Sequence, residues 1–347
     1  MKKKLISLLN CKPGDVLAND VVNDLGAAFI LKNTTITQYI KEKLSEIGIN
    51  EIWVYQRQEK SQTSPDSVLE DLKVQYSENV SLIKEVLTDL SAGKGFNKVE
   101  MSKIVSSIST TAKNTRSIIG CLNDMRYFDD YTYRHSVNVA FYSMLIAVWM
   151  GMAEEEVKQV IQAGLLHDVG KMRVPNEVLN KKGPLTREEF EVIKKHPLYG
   201  YYMLEKITDM GQDVKESVLM HHERIDGSGY PSGRSGDSLS RSAKIVSVAD
   251  VFDAITSDRI YKKRATPFEA FEIFKTTGLG SLDSDIINLF INNIAPYYTG
   301  LKVLLNSQNV GEIVYIPPHD VTSPVVMTNG DYLDLSRTKE IKIESIL

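Results

Sequence analysis

Imidazole and carboxylate, the side chains that hold metals and move protons, are bunched in one stretch of this chain. Five of its six histidines, His135, His167, His196, His221 and His222, fall between positions 135 and 222, and only His319 lies apart. Any one of them alone is more often a satisfied core or surface residue than a ligand. Their company changes that reading. His167-Asp168 closes a helical pattern carrying Val157, Val160, Ile161 and Leu165-Leu166, with Gly170 and Lys171 just behind. Adjacent helical residues point about 100° apart, so both can face one cavity only near a helix end where the backbone turns. Gly170 is placed for such a turn. His221-His222 ends a second helical pattern, Val214, Val218 and Leu219, before the polar Glu223-Arg224. Asp250 sits inside the apolar run Ile245 to Phe252, where a carboxylate is costly unless paired or metal-bound. Asp253, three positions on, is placed to support it or to contact a helix end.

Helices must bring these positions together. From Tyr127 to about Pro296 the pattern is helical almost throughout. Thr186-Arg187-Glu188-Glu189 and Thr266-Pro267-Phe268-Glu269 are capping boxes, the second with proline at the first helical position. Pro197, directly after His196, forces a break or a new helix there. Upstream, Val80, Ile83, Val86, Leu87 and Leu90 repeat at helical spacing, Ala92 to Gly95 interrupt, and Met101 to Met125 resume it. That stripe predicts helices packed on the following domain; a coiled coil joining a homodimer is the alternative. Residues 1–57 mix strands near Phe29 to Leu31 and Ile52 to Tyr55 with a helix from Thr37 to Leu44. Residues 58–66 are polar and read as a linker. Residues 299–347 return to strand alternation, at Val303 to Leu305, Glu312 to Ile316, Val325 to Met327 and Ile341 to Ile343, with turns that include Asn329-Gly330. The expected fold is mainly α: a helical domain over 115–298, linker and helices over 58–114, a small α+β module at 1–57 and a small β module at 299–347.

The bulk numbers set the class. With 347 residues and a formal charge of −4, the chain lacks the clustered basic excess of a phosphate-tracking nucleic-acid binder, so no nucleic-acid polymer is expected as a partner. Two distant cysteines, Cys11 and Cys121, can build neither a disulfide framework nor a thiolate zinc site, which points to the cytoplasm. The apolar stretch from Leu5 to Leu9 is too short for a lipoprotein signal before Cys11. Val137 to Met152 falls short of the ~20 residues that span a bilayer, so it reads as a buried core helix and no membrane insertion is expected.

The order His135, His167-Asp168, His196-Pro197, His221-His222 and Asp250, with the loop Glu223-Arg224-Ile225-Asp226-Gly227-Ser228-Gly229-Tyr230-Pro231, resembles the HD-GYP subgroup of the HD phosphohydrolase superfamily. The resemblance covers about residues 115–298. Its most specific part is Gly229-Tyr230-Pro231 directly after a histidine pair, and Asp129 to His135 also matches. The resemblance implies a helical HD-type metal phosphohydrolase domain and a cyclic di-GMP phosphodiesterase. One metal would be held by His135, His167, Asp168 and Asp250; a second would share Asp168 and add His196, His221 and His222. Imidazole and carboxylate without thiolate suit two divalent iron ions, with manganese as the alternative, rather than structural zinc. Such a pair turns a bridging water into a hydroxide that attacks phosphorus in line. The resemblance assigns Lys171 to the scissile phosphate, Arg259 and Lys262 to the cyclic dinucleotide, and Tyr230 to a guanine face or a hydrogen bond with substrate. Docking of diguanylate cyclase domains on the Gly-Tyr-Pro loop is a further implied partnership. Some family members carry a glutamate for a third metal where this chain has Tyr131. Two metals are therefore expected, with linear pGpG as product and further cleavage to GMP left open. Ile225 and Ile260 stand where tryptophan and proline are usual. Two other readings stay open: a module that binds a cyclic dinucleotide or a partner without hydrolysis, and a hydrolase of another cyclic dinucleotide or nucleoside phosphate.

Overall fold

The computed structural model describes residues 2–22, 28–30, 32, 34–56, 65–125, 131–257 and 265–347. They fall into two compact units, one of Met1–Thr63, Ala265–Glu272 and Ile291–Leu347, the other of Ser64–Arg264 and Ile273–Phe290.

In the first unit the N-terminal stretch forms β1 (Lys3–Ser7), β2 (Val21–Val22), β3 (Ala28–Ile30), α1 (Gln38–Glu46) and β4 (Glu51–Tyr55). β1 pairs antiparallel with β4, and β2 with β3. Along β4 the period of two turns Ile52 and Val54 inward. They join Leu17, Ile36, Ile40 and Leu44 in one core. The C-terminal segment adds β5 (Lys302–Leu305), β6 (Val310–Tyr315), β7 (Val325–Thr328), β8 (Asp331–Asp334) and β9 (Ile343–Ile346), an antiparallel sheet of order β8-β7-β6-β5-β9. Asn329 and Gly330, at φ 51° and 88°, make the two-residue turn from β7 to β8. The sequence expectation omits β8, whose flanking aspartates hide its alternation, and places the last strand at Ile341 to Ile343 rather than at β9. Residues 1–57 and 299–347, far apart in sequence, share this unit. The Thr37 hydroxyl donates to the Val314 carbonyl at 2.9 Å, and the Tyr39 ring meets Tyr332 at 4.9 Å.

The helices are α2 (Pro65–Ser91), α3 (Lys98–Thr110), α4 (Thr115–Asp124), α5 (Tyr131–Trp149), α6 (Glu154–Leu166), α7 (Asn176–Leu179), α8 (Arg187–Ile193), α9 (His196–Glu205), α10 (Gln212–Met220), α11 (Arg241–Thr256), α12 (Pro267–Ile273), α13 (Leu279–Ser281) and α14 (Ser284–Ile294). In the second unit α5 packs against α6 and α11, and α10 against α6, α9 and α11. α5 is apolar on nearly every side, with Val137, Phe141, Leu145 and Ile146 buried, as expected of a helix enclosed by others. Among the described residues no helix is long and apolar enough to cross a membrane. The stripe from Met101 to Met125 is split in two. α3 ends at Thr110 and is capped by Thr111, whose hydroxyl donates to the Ile108 carbonyl at 2.6 Å, and α4 begins at Thr115. α2 packs on both pieces, so Ile104, Ile108 and Ile118 serve the unit's own core rather than an unbroken coiled coil.

Cys11 and Cys121 are both buried thiols, one in each unit. Burial pushes the Cys121 thiol up to about 12. At pH 8 only about one Cys121 in ten thousand is then thiolate, the form that reacts. An aromatic disulfide reagent is expected to find no fast thiol in the native protein at pH 8 and both thiols after denaturation. A fast equivalent in the native state would contradict this burial.

Candidate functional site

The histidines of the site are set at helix ends or along buried helices. α6 passes into His167 in helical conformation, and Asp168 follows at φ −98°, ψ 7°, opening a 3-10 turn over Val169–Arg173. The backbone turn that lets both residues face one cavity is thus made at Asp168 itself. Gly170 serves a close approach instead: a Cβ there would lie 1.9 Å from the His196 carbonyl oxygen and 2.5 Å from the Gly200 nitrogen. α9 starts at His196 with Pro197 in its first turn, and α10 runs out into His221. His135 comes from α5 and Asp250 from the middle of α11.

These side chains converge into two groups. Asp168, His196, His221 and His222 offer ligand atoms within 4.8 Å of one another, and so do His135, His167 and Asp250. Asp168 joins the two. Its Oδ2 lies 3.3 Å from His167 Nε2 and 3.6 Å from His135 Nε2, while Oδ1 lies 3.2 Å from His196 Nε2 and 3.9 Å from His221 Nε2.

Hydrogen bonds on the outer side of the rings fix what points inward. Nδ1 of His167, His196 and His221 each donates to the carbonyl three residues back, of Gly164, Ile193 and Val218, at 2.7, 2.8 and 2.8 Å. With a proton on Nδ1, each ring turns its Nε2 into the cavity. His196 and His221 then face each other, Nε2 to Nε2, at 3.3 Å. Beside them Asp168 Oδ1 is buried with no hydrogen-bond donor among the described residues. Electron-rich atoms this close in a dry site repel one another, and a divalent cation among them satisfies all three. The donor set therefore fits divalent metals, held through nitrogen and oxygen.

The electrostatics differ between the two groups. Burial drives His221 well below its ordinary pKa, with the neighbouring histidines adding to the effect, and brings His222 down to about 3, so both are neutral as ligands must be. Burial also pulls on His135, but hydrogen bonds to Asp250 and Asp253 outweigh it and push its pKa up to about 9, so this ring must release a proton when a cation binds. Burial disfavours the charged form of Asp168 and Asp250, yet the Lys171 charge holds the first, and the hydrogen bond from His135 the second, well below the usual carboxylate range.

Behind the candidate ligands runs a buried chain of polar groups. The Tyr76 hydroxyl donates to Asn138 Oδ1, Asn138 Nδ2 donates to Asp253 Oδ1, both at 2.8 Å, and His135 Nδ1 donates to Asp253 Oδ2 at 2.7 Å. Of the two roles the sequence leaves to Asp253, the structure shows it orienting His135. Asp253→Asn is expected to weaken metal binding about 10- to 100-fold, because the ring loses the acceptor that aims it. Competition against a chelator measures this, and wild-type affinity would contradict it.

Lys171 Nζ donates to Asp168 Oδ2 at 2.6 Å from the rim of the cluster. The Tyr230 ring lies beside it, with its centroid 4.7 Å from that of His222. Glu223, missing from the sequence-derived site, is 2% exposed and accepts the backbone N–H groups of Ser232 at 2.7 Å and Arg234 at 3.1 Å. It pins the far arm of the Gly-Tyr-Pro loop. Arg259, Lys262, Ile260 and Asp129 lie outside the described residues; Tyr131 is the first residue of α5.

A family model described as HD domain matches residues 100–286. Over 232 residues the chain is 34% identical to a cyclic di-GMP phosphodiesterase of Pseudomonas aeruginosa, covering 67% of this chain and 56% of that protein. The chain belongs to the HD domain family, in its HD-GYP subgroup. This HD-GYP chain is also 35% identical over 170 residues to a 3'3'-cGAMP-specific phosphodiesterase of Vibrio cholerae, covering 48% of this chain and 39% of that one. It thus spans only about half, or less, of these curated relatives. Among solved structures, a HDG"Y"P protein from Bdellovibrio bacteriovorus matches with a TM-score of 0.54 at 15% identity, covering 83% of this chain and 98% of that chain, which shows a shared fold.

Proposed function

We propose that this HD-GYP chain is a metal-dependent phosphodiesterase that hydrolyses cyclic di-GMP to linear pGpG in the cytoplasm. The observation that carries the reading is the pair of donor groups joined through Asp168. His135, His167, Asp168 and Asp250 would hold one divalent cation, and Asp168, His196, His221 and His222 a second, with iron proposed and manganese the alternative. Bound there, two cations supply Lewis-acid charge and activate water at neutral pH. The chain's own residues do the rest. The Gly164, Ile193 and Val218 carbonyls and Asp253 orient the rings. Lys171, partly exposed at the rim, can turn its ammonium from Asp168 to a phosphate oxygen and stabilise charge that develops in the transition state. Tyr230 presents a ring face to a guanine. Burial, with the Asp250 and Asp168 charges nearby, raises its pKa, so the hydroxyl donates hydrogen bonds and is no base. Arg259 and Lys262 would neutralise the dinucleotide's charge. Docking of a diguanylate cyclase domain would use the exposed outer arm of the loop, Ser232 to Ser235, and a homodimer would show by light scattering.

The test is to purify the protein without oxygen, count metals, add cyclic di-GMP and separate pGpG from GMP. Turnover to pGpG is expected; none with both metals bound rejects the reading. A second reading, cleavage of 3'3'-cGAMP, is favoured by the similarity to the Vibrio cholerae relative. The ratio of kcat/KM for the two dinucleotides decides between them.

A further inference from the structure

Beside Tyr230 lies a strip of surface that the mechanism does not use. Phe190 belongs to α8, and Lys194 is the residue that caps it, four positions on and so on the same face. Phe190 is 46% exposed, so the core gains little from it. The Lys194 ammonium sits 5.5 Å from the centroid of the Phe190 ring and 5.8 Å from that of Tyr230. One cation therefore lies against two aromatic rings. Tyr230 in turn contacts His222, so an exposed ring is linked to the ligand cluster through a cation and a second ring. The ion pair of Lys194 with Glu191, at 2.7 Å, joins surface groups three residues apart and yields readily to a stronger anion. Flat aromatic faces flanking a cation match a nucleotide, which offers a flat base and a phosphate.

We propose that Phe190, Lys194 and Tyr230 form a shelf for the half of the cyclic dinucleotide that is not being cut: its guanine stacks on Phe190 and its phosphate pairs with Lys194. The shelf presupposes that the site takes a cyclic dinucleotide. Binding of a cleavage-resistant phosphorothioate analogue of cyclic di-GMP to the metal-loaded full chain tests it. Phe190→Ala and Lys194→Met are each expected to weaken binding on the order of ten- to a hundredfold, with KM for cyclic di-GMP rising and kcat little changed. Phe190→Trp and Lys194→Arg should restore wild-type affinity, and metal content and melting temperature should stay constant across the series. Affinity within about twofold of wild type in Phe190→Ala and Lys194→Met overturns the shelf. So does a loss of metal or melting temperature in Phe190→Ala, and so does a wild-type chain that fails to bind the analogue. A wild-type chain that binds the analogue yet leaves cyclic di-GMP uncut defeats the hydrolase reading alone, and the variants still decide the shelf.

Discussion

Asp168→Asn is expected to lower turnover of cyclic di-GMP on the order of a thousandfold or more, equivalent to about 4 kcal/mol of transition-state stabilisation. The chain should still fold. The two oxygens of Asp168 face the two donor groups, Oδ2 toward His135 and His167, Oδ1 toward His196 and His221. An amide has nearly the same shape, so packing at this buried position is kept. The chemistry is not. One oxygen becomes an NH2 group, a donor that cannot bind a cation. The negative charge that would offset two dications is gone, and Lys171 loses its carboxylate partner at 2.6 Å. The measured outcome should be double: elemental analysis falls from two metals per chain to one or fewer, and pGpG does not form. His319→Ala, at an exposed position in the first unit, should change neither quantity. Wild-type turnover by Asp168→Asn would mean that the chemistry lies elsewhere.

Much of this site is legible in the sequence because metal-binding residue types are few and their positions at helix ends leave a pattern. What surrounds them is less so. Asp253 and Asn138 sit in helices whose apolar faces look complete without them, so nothing local signals that the two meet across elements 115 residues apart. Glu223 reads as a surface charge beside Arg224, because its burial depends on where the loop returns with the N–H groups of Ser232 and Arg234. The continuous stripe from Met101 to Met125 shows the opposite failure. Periodicity reports which face is buried, not whether the helix axis continues, and the break after Thr110 keeps the same face inward. The helical fold class with a C-terminal sheet was legible from periodicity alone. The sharing of one unit by residues 1–57 and 299–347 rests on contacts such as Thr37 with Val314, which have no local signature.

Gly170→Ala is expected to destabilise the protein by at least about 3 kcal/mol and to strip its metals in the same step. The new methyl would point at backbone: the His196 carbonyl oxygen at 1.9 Å, the Gly200 nitrogen at 2.5 Å and the His196 carbonyl carbon at 2.9 Å. A flexible side chain could swing aside, but here either the 3-10 turn or the start of α9 must move. Each carries a proposed ligand, Asp168 two residues before Gly170 and His196 on the opposing helix. A displacement of roughly 1 Å at such a site costs about a hundredfold in rate even where the fold survives. For a unit of this size the melting temperature should fall by about 6–12 °C. Gly280→Ala is the matched control, since a Cβ there meets nothing within 4 Å, and its stability should stay within about 0.5 kcal/mol of wild type. Because one clash displaces ligands on both sides, the thermal and metal losses should appear together. A Gly170→Ala protein with wild-type melting and two metals would show that the turn and α9 do not make this contact, and with it the reason for glycine behind the His167-Asp168 pair would be lost.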